Sequence, residues 1–174
     1  MKNLEKVIAC LKHLGMKPDI ESFEHRLIIQ KAVYLLQLKG VRTGFSYGLY
    51  VRGPYSPELA KELYENKAKL KALDARAELS QKELKAAEEL KELFGLKPGL
   101  LEVASTYAYF AFEKREPPLS ALKNVRRLKP FSESQIALGV SKAKEYLYAP
   151  TEKEIAEMKK EFSAWEGAAL ESVN

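Results

Sequence analysis

The chain has 174 residues, of which 46% are hydrophobic and 30% are charged, and its formal net charge is +5. This length suits one domain, and the apolar content excludes a low-complexity disordered chain, because such chains cannot bury enough apolar surface to fold. The single cysteine, Cys10, excludes an internal disulfide and a zinc site built from several cysteines. Its setting in VIACLKHL predicts a buried small side chain.

The positive charge is unevenly distributed along the chain. Residues 1–60, 61–112, 113–149 and 150–174 carry net charges of +4, 0, +4 and −3. A dedicated nucleic-acid binder usually concentrates its basic residues on one surface or in one segment. Two moderately basic segments and an acidic tail are more typical of a mixed protein surface, so the charge alone indicates no partner.

The N-terminal segment MKNLEKVIACLKHLG places Glu5, Lys6 and Lys12 among its apolar residues. A secretory signal has an uninterrupted apolar core instead. The longest apolar-rich stretch, residues 27–38, contains polar side chains and is too short to cross a bilayer. The sequence therefore predicts a cytoplasmic protein that does not associate with membranes.

Two helices are predicted at the start of the chain. Apolar residues spaced three and four apart indicate an amphipathic helix over residues 2–14, which Gly15 and Pro18 end. Ser22 is a suitable N-cap for a second helix from 23 to 39, closed by Gly40. Because this second helix is apolar on nearly every side, we expect it in the middle of the fold.

The hydrophobic period then changes from helical to that of a strand. Apolar and aromatic residues at 45, 47, 49 and 51 alternate with smaller or polar ones, which predicts a strand ending at Gly53-Pro54. Ser56 can cap the next helix, with Pro57 at its first position and Glu58 at the positive end of its dipole. We predict that this helix continues to about residue 71, and residues 72–79 could add a short strand.

The sequence pattern in the second half of the chain predicts helices separated by turns. Ser80 and Glu83 form a capping-box pattern, and Pro130 separates two later helices. The predicted helices cover residues 80–94, 100–112, 120–128, 132–146 and an amphipathic 151–171. The predicted fold class is therefore mainly α, a single compact multi-helix domain over residues 1–174 with a small β element near residues 44–52.

No catalytic signature is present in the sequence. It contains no GxSxG, HExxH, P-loop or GxGxxG motif, and no group of cysteine, histidine and acidic residues has metal-ligand spacing. His13 and His25 lie on different predicted helices. Apolar neighbours that raise a thiol pKa argue against Cys10 as a nucleophile. We predict a non-enzymatic protein without a cofactor or metal.

The strongest candidate site lies between the second helix and the strand. Gln30, Lys31 and Tyr34 share a face of an otherwise apolar helix, and a buried unpaired ammonium is costly. In the structural interpretation, Lys31 reaches a carbonyl or carboxylate at the edge of the core. In the functional interpretation, a groove that holds a partner is lined by Gln30, Lys31, Tyr34, Tyr47, Arg52 and Tyr55.

The turn Gly53-Pro54-Tyr55-Ser56 has two interpretations as well. Backbone donors at the start of the following helix could receive a carboxylate or a phosphate, with Arg52 alongside. Alternatively, the turn only caps and orients that helix. Gly53 and Ser56 therefore join the candidate partner-binding residues.

A second functional class is a winged-helix-like nucleic-acid-binding regulator. Arg126, Arg127 and Lys129 are the best candidates for contacts with phosphate, and the predicted strand would belong to a wing. The same three residues could instead complement the dipole at the end of a helix.

The segments LIIQKAVYLLQ (27–37) and FSYGLYVRGPYSPELAKEL (45–63) together resemble the Panacea domain, also called the SocA-type antitoxin domain, and especially its stand-alone YwgA-like members. In that family a helix bearing Lys and Tyr leads through a short strand into a GPYS-type turn. The corresponding residues here are Lys31, Tyr34, Tyr47, Gly53, Pro54, Tyr55 and Ser56. The segment RRLKPFSESQIALGVSKA (126–143) resembles the family's C-terminal helices, which extends the family core to about 23–148.

The resemblance implies a compact, mostly helical fold without catalytic apparatus. It also implies a protein partner, either a toxin that the chain neutralises as an antitoxin or a target that it delivers as an adaptor.

Overall fold

The computed structural model describes residues 3–149, 152–157, 159–160 and 163. It is mainly helical with one small antiparallel sheet, which confirms the predicted fold class. In chain order the elements are α1 (Leu4–His13), α2 (Phe23–Leu38), β1 (Gly48–Tyr50), β2 (Gly53–Tyr55), α3 (Pro57–Glu65), α4 (Lys67–Ala72), α5 (Gln81–Phe94), α6 (Pro98–Ala108), a π-helical turn (Tyr109–Glu113), α7 (Pro118–Leu128) and α8 (Glu133–Leu147).

Helix α2 is the central element, as its sequence predicts. Ser22 accepts a hydrogen bond from the His25 N–H and so caps the helix, and every residue from Leu27 to Leu36 is buried. The helix packs against α3, α5, α6 and β2. Cys10 of α1 is buried in the same core, and burial raises the pKa of its thiol to about 12.

The β element is a hairpin, and the prediction of one strand ending at Gly53 is wrong. β1 and β2 pair antiparallel, with Leu49 opposite Pro54, and Gly53 begins the second strand. The chain can turn here because Gly53 has φ +87°, where L side chains are strained. A Cβ at this position would also lie 2.4 Å from Thr106 Oγ1. Phe45 is buried and Tyr47 is half-buried, whereas Leu49 and Val51 are exposed, so only the first half of the alternating pattern marked a buried face.

Several predictions for the segments after the hairpin also differ from the structure. The single helix predicted up to residue 71 divides at Asn66 into α3 and α4, and residues 73–80 contain no strand. The predicted helix over 100–112 begins at Pro98, and the N–H of Lys114 donates to the carbonyl of Tyr109 where a π-helical turn extends α6.

The helices that follow agree more closely with the sequence. Both capping boxes form, Ser80 with Glu83 and Ser132 with Gln135. Of the predicted helix over 151–171, only 152–157, 159–160 and 163 belong to the described residues, and these are helical. No helix within the described ranges has both the length and the apolar character needed to span a membrane.

Candidate partner-binding cavity

A cavity of about 400 Å³ lies between α2, the β-hairpin and α3. We call it the α2–hairpin cavity. Its volume falls within the usual range for ligand pockets, at the lower end. The residues that line it are Ile20, Phe23, Arg26, Leu27, Gln30, Lys31, Tyr50, Val51, Arg52, Gly53, Tyr55, Ala60, Leu63 and Tyr64. Five of the eight predicted partner-binding residues are in this set: Gln30, Lys31, Arg52, Gly53 and Tyr55.

Lys31 lies in the wall of the cavity with 2% of its surface exposed. Its ammonium donates a hydrogen bond of 2.6 Å to the Pro54 carbonyl, so the acceptor required by the structural interpretation is a backbone oxygen of the hairpin. Burial lowers the pKa of Lys31 to about 7, and the positive charges of Lys129 and Arg52 lower it further while Glu102 opposes them. At neutral pH the Lys31 amine is therefore close to half protonated.

Gln30 joins α2 to the start of α3. Its side-chain amide donates to the Ser56 carbonyl at 3.0 Å, and its carbonyl oxygen accepts from the Ser56 N–H at 2.9 Å. The Ser56 hydroxyl accepts from the Leu59 N–H at 3.2 Å. Ser56 is buried, is outside the cavity lining and caps α3, so the structure favours the capping interpretation of this turn.

Behind the hairpin lies a buried ion pair that sequence reasoning missed. The Glu102 carboxylate, with 2% of the residue exposed, accepts from the Lys129 ammonium at 3.0 Å and from Arg52 Nη1 at 3.3 Å. Lys129 also donates to the Val51 carbonyl at 3.0 Å. One signal could have revealed the pair: Glu102 is the only charged residue in the apolar segment 98–112, and a buried carboxylate needs a partner.

The three predicted nucleic-acid residues do not form an open basic patch. Lys129 is buried against Glu102, and burial lowers its pKa. At the surface, Arg126 Nε donates to Glu133 at 3.0 Å and Arg127 donates to Asn124 at 3.3 Å. Contact between Lys129 and a phosphate backbone is incompatible with this arrangement.

Tyr34 and Tyr47 lie apart from the cavity. The Tyr34 hydroxyl donates to Glu113 at 2.6 Å. Burial is the main cause that raises the pKa of Tyr34, and the Glu113 carboxylate is the second. The two rings contact each other with centroids 4.9 Å apart. Burial also raises the pKa of Tyr47, whose hydroxyl has no hydrogen-bond partner among the described residues. The structure therefore divides the predicted groove residues between the cavity and a separate tyrosine cluster.

Large apolar side chains surround the mouth of the cavity. Phe23, Tyr50, Val51 and Tyr64 all line it and are between 43% and 91% exposed. The Phe23 ring lies close to two guanidinium groups, with Arg26 at 5.8 Å and Arg52 at 5.7 Å from its centroid. Sequence reasoning did not identify Phe23 or Tyr64 as site residues, because their proximity depends on how α3 packs on α2.

A second cavity, of about 480 Å³, lies between the π-helical turn and α8. Its lining includes Glu116 and Glu145 as well as Lys144, so charges of both signs are present. None of the predicted site residues is in this lining.

Comparisons of the chain with protein-family models, with characterised proteins and with solved structures found no match. The function is therefore inferred from the geometry of the α2–hairpin cavity and from the residues around its mouth.

Proposed function

We propose that the chain is a non-enzymatic protein-interaction module and that a partner protein inserts an apolar side chain into the α2–hairpin cavity. The observation that supports this proposal most directly is the ring of exposed Phe23, Tyr50, Val51 and Tyr64 around the mouth. Large exposed apolar patches mark interaction sites more often than surfaces that face only water. Burial against a partner would remove that patch from water.

The composition of the site supports a protein partner. Aromatic residues and arginine are enriched where binding energy concentrates in protein interfaces, and Arg26 and Arg52 flank an exposed phenylalanine here. The cavity supplies the pocket that such an anchor side chain needs. Before binding, Lys31 holds the hairpin through the Pro54 carbonyl and Gln30 holds the start of α3 through Ser56, which reduces the ordering cost of association.

The identity of the partner follows from the sequence resemblance and is part of the proposal. The ordered residues of α2, the hairpin and the GPYS turn resemble the Panacea domain, whose toxin-linked members neutralise toxins. We infer a toxin as the partner, with an adaptor's target as the alternative. Nucleic-acid binding, the second functional class that the sequence suggests, has weaker support because Lys129 is buried and Arg126 is paired with a carboxylate.

The test fills the cavity without disturbing the core. Ala60 on α3 lines the cavity and is partly exposed, so Ala60→Trp would occupy the space that an anchor side chain needs. Ala68→Trp is the matched control, since Ala68 is exposed on α4 and outside the lining. Tagged chains would be purified from the native source and the partner quantified by mass spectrometry.

We expect a stoichiometric partner with the original chain and with Ala68→Trp, and at least a tenfold loss with Ala60→Trp. Thermal unfolding would verify that both variants fold. Equal recovery with both variants would contradict the proposal, as would repeated purification of the chain alone.

A further inference from the structure

We infer that the partner enters the α2–hairpin cavity through its C-terminus, presenting a free carboxylate on a large apolar residue. This inference rests on the proposed function, because it specifies which part of a partner protein the same cavity takes. The distribution of charge in the cavity lining supports it.

The lining contains basic residues but no acidic ones. Arg26, Lys31 and Arg52 line the cavity, and its other lining residues are uncharged. The Glu102 carboxylate, which accepts from Lys129 and Arg52, lies outside the lining. The cavity therefore offers an excess of positive charge to whatever enters it.

The contacts of the three basic residues leave them able to bind an anion. Within the described part of the chain, the Lys31 ammonium donates to the Pro54 carbonyl and forms no ion pair with a carboxylate. Arg26 Nη1 donates to the carbonyls of Ile20 and Glu21, at 2.7 and 2.9 Å. Arg52 contacts Glu102 through Nη1 at 3.3 Å, and 58% of its side chain is exposed.

Gly53 brings the buried ammonium close to the cavity. A Cβ at Gly53 would lie 3.6 Å from Lys31 Nζ and 2.4 Å from Thr106 Oγ1, so the absence of a side chain lets the hairpin backbone pack directly over the amine. A carboxylate in the cavity would stabilise the protonated amine across the Gly53 backbone, because a nearby negative charge opposes the effect of burial. Carboxylate oxygens are suited to this because they accept several charge-assisted hydrogen bonds.

The rest of the lining requires an apolar body. Ile20, Leu27, Ala60 and Leu63 contribute apolar side chains to the walls of the cavity. A C-terminal residue joins an apolar side chain and a carboxylate at one Cα, so both enter a small cavity together while the chain leaves through the mouth. An internal aspartate would require the main chain to enter and leave through the same opening.

The test uses hexapeptides attached through their N-termini, with five randomised positions and a fixed C-terminal Leu, Ile, Phe or Tyr. The tightest binder would be resynthesised as the free acid and as the C-terminal amide. Affinities would be measured by calorimetry for the original chain, Arg52→Gln, Ala60→Trp and the surface control Arg127→Gln. Decanoate and the N-acetyl derivative of the same terminal amino acid serve as small carboxylate probes.

We expect the free acid to bind at least about tenfold more tightly than the amide, since the amide lacks the charge for these hydrogen bonds. Arg52→Gln should weaken the acid by a similar factor and leave the amide unchanged, and Arg127→Gln should change neither. Ala60→Trp should abolish both.

Equal affinity of acid and amide, both lost in Ala60→Trp, would overturn the carboxylate inference while agreeing with an apolar anchor. Binding of decanoate or the N-acetyl amino acid without binding of any peptide would overturn the inference that the carboxylate belongs to the C-terminus of a protein. Failure of every probe would also overturn the inference, whereas the proposed function is judged separately by recovery of the native partner with Ala60→Trp and Ala68→Trp.

Discussion

Lys31 and Lys129 are both buried lysines, but they reach different acceptors. The Lys129 ammonium donates to the charged carboxylate of Glu102, whereas the Lys31 ammonium donates to the neutral carbonyl oxygen of Pro54. The sequence predicts that Lys31 needs an acceptor, because it lies in an apolar helix. It cannot identify Pro54 or Glu102, because neither contact is local in the chain.

Glu102→Gln tests the buried ion pair. The substitution keeps the shape of the side chain but leaves the Lys129 charge buried beside Arg52 without a compensating carboxylate. Removing one partner of a buried pair is strongly destabilising, and we expect a loss of about 3 kcal/mol in the free energy of unfolding, measured by urea denaturation.

Glu133→Gln is the matched control, because Glu133 pairs with Arg126 at the surface. Exposed pairs contribute little, so this variant should lose less than about 1 kcal/mol. Similar losses in the two variants would contradict the importance that we assign to burial of the Glu102 pair.

At the scale of secondary-structure elements, the helices are predicted well and the hairpin is not. Helix boundaries are predicted from N-caps such as Ser22 and Ser80 and from helical periodicity. These signals depend on only a few neighbouring residues, so the packing of the fold does not change them. The hairpin depends on contacts made across the chain, since Thr106 of α6 lies so close to position 53 that only glycine leaves room for it. A two-residue period could not distinguish a single strand from a hairpin in which Leu49 and Val51 are exposed.

Close packing of α6 on α8 gives a prediction about Gly139. A Cβ at this position would lie 2.4 Å from Val103 Cγ1 and 2.7 Å from Val103 Cβ. Overpacking costs about 1–3 kcal/mol, and this clash belongs in the upper part of that range, about 2–3 kcal/mol, because the Cβ of Val103 cannot rotate away. The better helix propensity of alanine recovers about 1 kcal/mol. We therefore expect Gly139→Ala to lower the free energy of unfolding by about 1–2 kcal/mol, measured by urea denaturation.

The neighbouring Leu138→Ala provides the comparison on the same helix. Leu138 is 51% exposed, so its truncation should change the free energy of unfolding by less than about 0.5 kcal/mol. A Gly139→Ala variant as stable as the original chain would mean that α6 and α8 can separate without cost.

Across the whole molecule, the basic residues are dispersed and several are neutralised. Lys129, Arg126 and Lys39 pair with acidic residues on other parts of the chain. The net charge of +5 therefore produces no continuous basic surface at the predicted nucleic-acid residues. The local excess of positive charge occurs at the α2–hairpin cavity, which neither the total charge nor its division along the chain indicates.

The stability of the fold should rise with pH between 7 and 9. Lys31 has a pKa of about 7 in the folded chain and 10.5 as its ordinary value, so the unfolded chain binds more protons in this window. The free energy of unfolding then increases with pH, by up to about 1.4 kcal/mol per pH unit for this group. Lys129, whose pKa is also lowered by burial, acts in the same direction.

Other groups limit this window. Burial raises the pKa of Cys10 from 9.0 to about 12, so the folded chain retains this proton and the contribution of the thiol opposes that of Lys31 as the pH rises above 9. Lys129, Arg52 and Glu102 are the charged groups that act on Lys31. Urea unfolding at pH 7, 8 and 9 should show a smaller rise in Lys31→Met than in the original chain. Parallel profiles would show that Lys31 does not titrate in the folded state within this range.

The sequence by itself determined the mainly helical fold, the central position of α2 and most helix boundaries, because capping and apolar periodicity are local properties. It also identified five residues of the cavity through the pattern of α2 and the GPYS turn. Only the tertiary structure decided that Phe23, Ala60 and Tyr64 complete the cavity, that Tyr34 and Tyr47 lie elsewhere, and that Lys129 pairs with Glu102. These outcomes depend on how separate elements pack, and no short sequence window records that packing.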